Sequence, residues 1–459
     1  MTKKWLKGFA LREPLLAFAP SLLGREQVDY DPLNGLRKYG PYKDVDVQIL
    51  HVIPREYSMS REEVMALNEQ LQKIMGHFLK ETRREVKVEN LEISSIVSSG
   101  FDARINDEIL SSVEGKKDYV ILVPLPERIL GKAKAQRIYA QLKALGLENG
   151  FVTQMYAEKT IESIRSLIHT RTQFEIREIE RRSPILLNLA LNIFAKAGGK
   201  PWALSDRLEY DFVVGLGWSV KRIKPELSTG PNIKYYGVVH TFNNVGTWET
   251  FDAFSCEAKE EELSTALSES LDYIIADKLK IKMERRGRIL ILTRENLGPR
   301  AMGRLSKFCD SLGYDLDIAM VSSTKPTRIY VISNSYLIPR GLGFLISEEE
   351  AYIATTGEAR GRYTGIGVPQ PILIRLLSST SKTREKTEIL ERIVRAVYSF
   401  TVMNWRSLWG TLRLPTPIHY SKLVADVFAR ITLGDINMLF GKRETLMVHE
   451  NIRDIPWFI

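Results

Sequence analysis

Apolar positions recur along this 459-residue chain at two spacings. Residues 46–53, 86–97 and 119–123 are apolar and β-branched, and helical periodicity fills the gaps between them. Ser60 and Glu63 make a capping-box pair ahead of a helix to about Arg84, and 104–114 reads as a second helix. Such alternation predicts a parallel α/β sheet. No glycine-rich fingerprint follows these strands, so dinucleotide binding is not supported. From 205 the order changes. Three strands come in succession (207–222, 233–243, 247–256), then a helix (259–284), a strand (288–294), a helix (298–312) and a strand (314–322). A hairpin at 342–356, an extended segment at 367–374 and a helix at 383–402 follow. The pattern divides the chain into an arm (1–34), a first α/β domain (35–200) and a second (201–459).

The run at the boundary, NLALNIFAKAGGKPWALSDRLEYDFVVGLGWSVKR over 188–222, reads as a helix end, a glycine stop and a strand. Leu189, Leu191, Ile193 and Phe194 form the apolar side of the helix. Asn192 and Lys196 lie four apart and share a face. Gly198 and Gly199 supply the cap, and Pro201 prevents continuation. Residues 212–219 are apolar enough for a central strand. A polar pair on a greasy helix beside a neighbouring domain's first strand suggests an anion at the junction. A lysine snorkelling from a surface helix accounts for the same pattern.

A second basic stretch bears on that choice. Arg128, Lys132, Lys134, Arg137 and Lys143 are uninterrupted by any acid between Glu127 and Glu148. Tyr139 and Lys143 lie four apart on the expected helix, and Gln154 opens the next strand. A terminal nucleotide needs a π-surface for its base, a cation for its phosphate and an amide that both donates and accepts. A basic solvated helix is the competing reading.

Composition narrows the classes. A net charge of +9 favours a polyanionic partner, though weakly. The two cysteines, Cys256 and Cys309, are far apart, which fits a reducing cytoplasm and argues against a zinc or disulfide framework. The six histidines have no metal-ligand spacing. The N-terminus has a basic start and an apolar tail, but Arg12, Glu13 and Pro14 interrupt it. It reads as a docking arm or first strand. No run reaches the ~18 uncharged apolar residues of a membrane span, so direct membrane insertion is not expected.

AKAGGKPW followed by a strand ending VGLGWS resembles the MID–PIWI junction of Argonaute proteins, where K-x-G-G-x-P/x-W precedes a strand ending G-I-D-x-S. Lys196, Gly198, Gly199 and Trp202 match. GLRKYGPY (35–42) is similar to the lead into the MID domain of short Argonautes. Tyr-x-x-x-Lys, then a Gln, then the junction Lys are matched in order by Tyr139, Lys143, Gln154 and Lys196. NWRSLWGTLRLPTPIHYSK resembles the C-terminal PIWI signature. The resemblance implies a Rossmann-like MID domain (35–200) followed by an RNase H-like PIWI domain (201–459). Tyr139 would stack on the first guide base, and Lys143, Gln154 and Lys196 would hold the guide 5′-phosphate, with Asn192 as a further contact. The Ile459 carboxylate would share Mg²⁺ with that phosphate. The N and PAZ domains of long Argonautes have no room.

Argonaute nucleases hold two Mg²⁺ on clustered carboxylates. The strand's family Asp is Gly217 here. Glu262 stands where the glutamate finger is expected, with neighbouring Glu260 and Glu261 leaving the register open. The family H-R-D-G is T-R-E-N, so its Asp becomes Glu295. The fourth position is Lys422, a cation where a ligand belongs. The expectation is therefore a non-slicing sensor that pairs an RNA guide with invading DNA and acts through an APAZ-containing effector or accessory subunit. An active RNase H-fold nuclease and a scaffolding subunit with a vestigial guide pocket are the alternatives.

Overall fold

Capping chemistry fixes the start of the first helix. A computed structural model describes all residues except 1–6, 22, 56–58, 80–83, 94–110, 113–118, 126, 170–182, 224–231, 258–264, 268, 272, 275–286, 324–337, 360–361, 365–369, 382–384, 410 and 431–447. Strands β1 (Lys7–Ala10), β2 (Leu16–Ala17) and β3 (Val28–Asp29) precede helix α1 (Pro32–Tyr39). Asp31 caps α1 by accepting from the Asn34 N–H at 3.0 Å, Pro32 sits in its first turn, and Gly40 ends it at φ +79°.

The first half then alternates. Strand β4 (Val47–Pro54) is followed by α2 (Arg61–Phe78), β5 (Val86–Ile93), β6 (Tyr119–Leu125), α3 (Lys132–Asn149), β7 (Val152–Ala157), α4 (Glu158–His169) and α5 (Pro184–Lys196). The four strands form a parallel sheet in the order β5-β4-β6-β7, as the alternation predicts. Both bonds of the Ser60–Glu63 capping box are made. Helix α2 stops at Phe78 rather than near Arg84. Arg84 instead pairs with Asp46 at 3.3 Å and Asp44 at 3.5 Å. The expected helices at 104–114 and 259–284 lie largely outside the described residues.

The second half contributes β8 (Ala203–Leu204), β9 (Phe212–Ile223), β10 (Asn232–Asn243), β11 (Trp248–Glu257), β12 (Gly287–Thr293), α6 (Pro299–Ser311), β13 (Tyr314–Ser322), β14 (Leu342–Leu345), β15 (Glu350–Ile353), the small pair β16 (Gly357–Ala359) and β17 (Arg362–Thr364), β18 (Ile372–Ser379), α7 (Lys386–Ser399) and α8 (Thr416–Arg430). Nine strands make one sheet in the order β1-β14-β15-β18-β13-β12-β9-β10-β11. Strand β9 lies inside the sheet, antiparallel to β10 and parallel to β12. Helix α8 lies across it. The junction run is bolted into this half through Trp202, whose Nε1–H donates to Val402 O and whose carbonyl accepts from the Trp405 indole, both at 3.2 Å. One apolar core runs through both halves, from Leu71 and Leu191 to Ile393 and Ile418.

The arm is built into the second sheet. Strand β1 pairs antiparallel with β14, and β2 lies between β3 and β8. Between β1 and β2, Glu13 clamps Arg340, whose side chain is 1% exposed: Oε2 accepts from Nε, and Oε1 lies 3.1 Å from Nη2. Tyr398 donates to the same carboxylate at 2.8 Å, and Arg340 also donates to Thr401 Oγ1. Glu13→Ala strands a buried guanidinium and should cost about 3–5 kcal/mol, read as a lower urea midpoint. A shift no larger than that of an ordinary surface substitution would rule out this role.

Candidate functional site

The C-terminal turn of α5 and the middle of α3 bring two lysines into one buried place. Lys143 and Lys196 are 2% and 1% exposed. The Lys143 ammonium donates to Thr153 O at 2.7 Å and Trp457 O at 2.6 Å. Lys196 donates to the same Thr153 carbonyl at 3.1 Å and to Gln154 Oε1. The Tyr139 ring lies one turn before Lys143 on α3, its centroid 5.7 Å from the ammonium. Asn192, one turn before Lys196, has a buried Oδ1 with no hydrogen-bond partner among the described residues. The residues Tyr139, Lys143, Gln154 and Lys196 thus gather at the contact between the two halves, with Asn192 one turn before Lys196 on α5. The C-terminal tail reaches the site through the Trp457 carbonyl, two residues before Ile459.

Two like charges side by side out of water disfavour each other. Burial, with the charge of Lys143 added, pulls the Lys196 ammonium well below its ordinary value, and burial lowers Lys143 as well. Arg406 adds to both effects. It lines a cavity of about 380 Å³ with Tyr139, Met155, Tyr156, Asp426 and Arg430. Burial raises the Tyr139 phenol, offset in part by Arg406 and Arg430, so it stays a hydrogen-bond donor. Sequence reasoning missed Arg406 and Arg430. Arg406 lies in the stretch read for its PIWI likeness, and Arg430 lies beyond that stretch. Chemically, the place offers paired cations, an amide and an aromatic face to a phosphate carrying a base.

The four positions expected to correspond to the nuclease carboxylates fare differently. Gly217 is buried on β9, and a Cβ there would stand 2.6 Å from the Lys422 backbone nitrogen and 2.7 Å from Ser421 Cβ. One pleat earlier, a Cβ on Gly215 would stand 2.3 Å from the Pro417 carbonyl. Helix α8 therefore lies directly on the strand. Ser421 Oγ donates to Gly215 O at 2.8 Å, and Lys422 pairs with Asp426, which also accepts from Ser219. Glu295 is exposed in the turn after β12, its N–H donating to Thr293 Oγ1. Glu262 lies outside the described residues. Among the described residues no group of three or more His, Cys, Asp or Glu is placed to hold a metal ion, and no helix is long and apolar enough to cross a membrane.

No protein-family model matches the chain. A crystal structure of Aa-Ago, the A. aeolicus Argonaute, with externally bound siRNA superposes with a TM-score of 0.61 at 17% identity, covering 99% of this chain and 56% of that one. The fold is that of an Argonaute. The Piwi protein of Archaeoglobus fulgidus is 20% identical over 445 residues, 93% of each chain. Piwi-like protein 1 of Schmidtea mediterranea is 20% identical over 385 residues, 78% of this chain, which spans only 43% of that relative. Within this Argonaute fold the sheet expected to be RNase H-like carries the strand with Gly217, and helices α3 and α5 of the first half carry the lysine pair.

Two outcomes follow from the geometry. Gly217→Asp meets helix backbone rather than open space and should lower stability by about 1–3 kcal/mol without creating a metal site; calorimetry with and without Mn²⁺ reads both. A stable variant that gains a Mn²⁺ isotherm would refute the packing. For the lysines the unfolded pKa is about 10.4. Between their lowered folded values and that figure the unfolded chain binds more protons, so ligand-free stability rises with pH. Lys196→Met should flatten that rise and raise the melting temperature at neutral pH. An unchanged pH profile would show that Lys196 titrates normally.

Proposed function

We propose that this chain binds the 5′-phosphorylated end of a guide oligonucleotide, an RNA, and pairs it with complementary DNA without cutting it. The observation that carries this reading is the meeting of Lys143, Lys196, Gln154 and the Tyr139 ring at one buried place. A phosphate dianion entering there takes up the two ammoniums, which otherwise make do with main-chain carbonyls and Gln154. The base has the Tyr139 face and the Arg406–Arg430 cavity beside it. Sequence is read by pairing, so the protein needs backbone contacts rather than base contacts.

The Mg²⁺ implied by the resemblance would have the phosphate and the Ile459 carboxylate as ligands, neutralising charge between them. The side chains facing the place are lysines, so the cation is held only together with the anion. The absence of slicing rests on Gly217 and Lys422, where glycine and a cation stand in for carboxylates. A guided binder that does not cut needs a second protein to act. An APAZ-containing effector or accessory subunit fills that part, which makes the chain the sensor of a defence system against plasmid or viral DNA.

The test is binding of 5′-phosphorylated and 5′-hydroxyl guides to the purified chain, with target cleavage assayed in Mg²⁺ and Mn²⁺. Phosphorylated guide should bind at least about tenfold tighter. Lys143→Ala and Lys196→Ala should erase that preference, and target should remain intact. Equal affinity for the two guide ends, or cleaved target, would overturn the reading.

A further inference from the structure

A second cavity, of about 360 Å³, lies away from the lysine pair, where the arm, the β8–β9 connection and α7 meet. Its size is within the range of small-molecule sites. Arg12, Arg207, Arg392 and Arg395 line it. Leu11, Leu15, Leu204 and Leu208 give it an apolar wall.

Four arginines around one hollow need an account of their counter-charges. Arg392 is 5% exposed and forms part of the lining. Its Nη2 donates to Asp317 at 3.0 Å and its Nε to Tyr210 at 3.2 Å, while Nη1 is buried with no hydrogen-bond partner among the described residues. Of the lining acids, Glu13 is spent on Arg340 and Tyr398, and Glu209 lies 3.7 Å from Arg288. Arg12, Arg207 and Arg395 form no ion pair among the described residues, and Asp206 is the remaining acid of the lining. Three unpaired cations against one unpaired anion leave a surplus of two positive charges. Guanidinium forks match phosphate oxygens, and a phosphate monoester carries close to two negative charges at neutral pH.

We propose that this cavity binds a phosphate monoester with a compact apolar or aromatic body, of the size of a nucleoside monophosphate. Arg12, Arg207 and Arg395 grip the phosphate, Arg392 supplies a fixed positive floor, and the leucine wall takes the body. The site is independent of the lysine pair and stands whether or not that pair binds a guide end.

Calorimetric titration of the full chain tests this, using AMP, UMP and inorganic phosphate after saturation with a 5′-phosphorylated oligonucleotide. One equivalent of nucleoside monophosphate should still bind. Arg207→Ala and Arg395→Ala, both at exposed positions, should weaken it about tenfold or more, and Lys143→Ala should leave it unchanged. Inorganic phosphate binding with the same dependence on Arg207 and Arg395 locates recognition in the phosphate group. Absence of binding, binding lost in Lys143→Ala, or binding indifferent to both arginine variants overturns the proposal. Arg392 is left intact, since removing it would strand the buried Asp317 carboxylate.

Discussion

Two ammonium groups held side by side out of water are the constraint around which this molecule is arranged. Burying one unpaired lysine is costly, and burying a second beside it adds repulsion. The fold tolerates them by aiming the carbonyls of Thr153 and Trp457 and the Gln154 amide at them. One acceptor comes from the last residues of the chain and the others from β7, so the two halves meet at this point. Such a place is stable without ligand yet electrostatically incomplete. That is the condition under which an anion binds with the field already oriented.

Helix α8 ties this place to the strand that carries Gly217. Its Pro417–Lys422 turn lies on Gly215 and Gly217 of β9, while Asp426 and Arg430, one and two turns on, face the cavity beside Tyr139. Asp426 belongs to both, accepting from Ser219 on the strand and from Lys422 on its own helix. A shift of α8 relative to β9 would therefore be felt at the base end of the pocket. No direct bond between the two sites is required.

Much of this was legible in the chain. Periodicity and caps gave the parallel sheet of the first half, and the three-strand opening of the second appeared within a few residues of its true bounds. The tetrad Tyr139, Lys143, Gln154 and Lys196 could be found because Tyr139 and Lys143 stand one helical turn apart and a glycine stop follows Lys196. Arg406 and Arg430 could not, since their proximity to Tyr139 arises from packing between halves that no local spacing encodes. Gly217 read as a missing side chain. Its tight contact with α8 is a tertiary fact, invisible without the helix. The role of Glu13 was equally hidden, because its partners Arg340 and Tyr398 lie more than three hundred residues away.

The glycine pair on β9 has a consequence for how this sequence can change. With the helix seated on the strand, a carboxylate at 217 needs two alterations together: the new side chain, and a repacking that lifts α8 off Gly215 and Gly217. Either alone lands in a less stable chain, one overfilled and the other hollow. The path between the two packings is a valley rather than a slope.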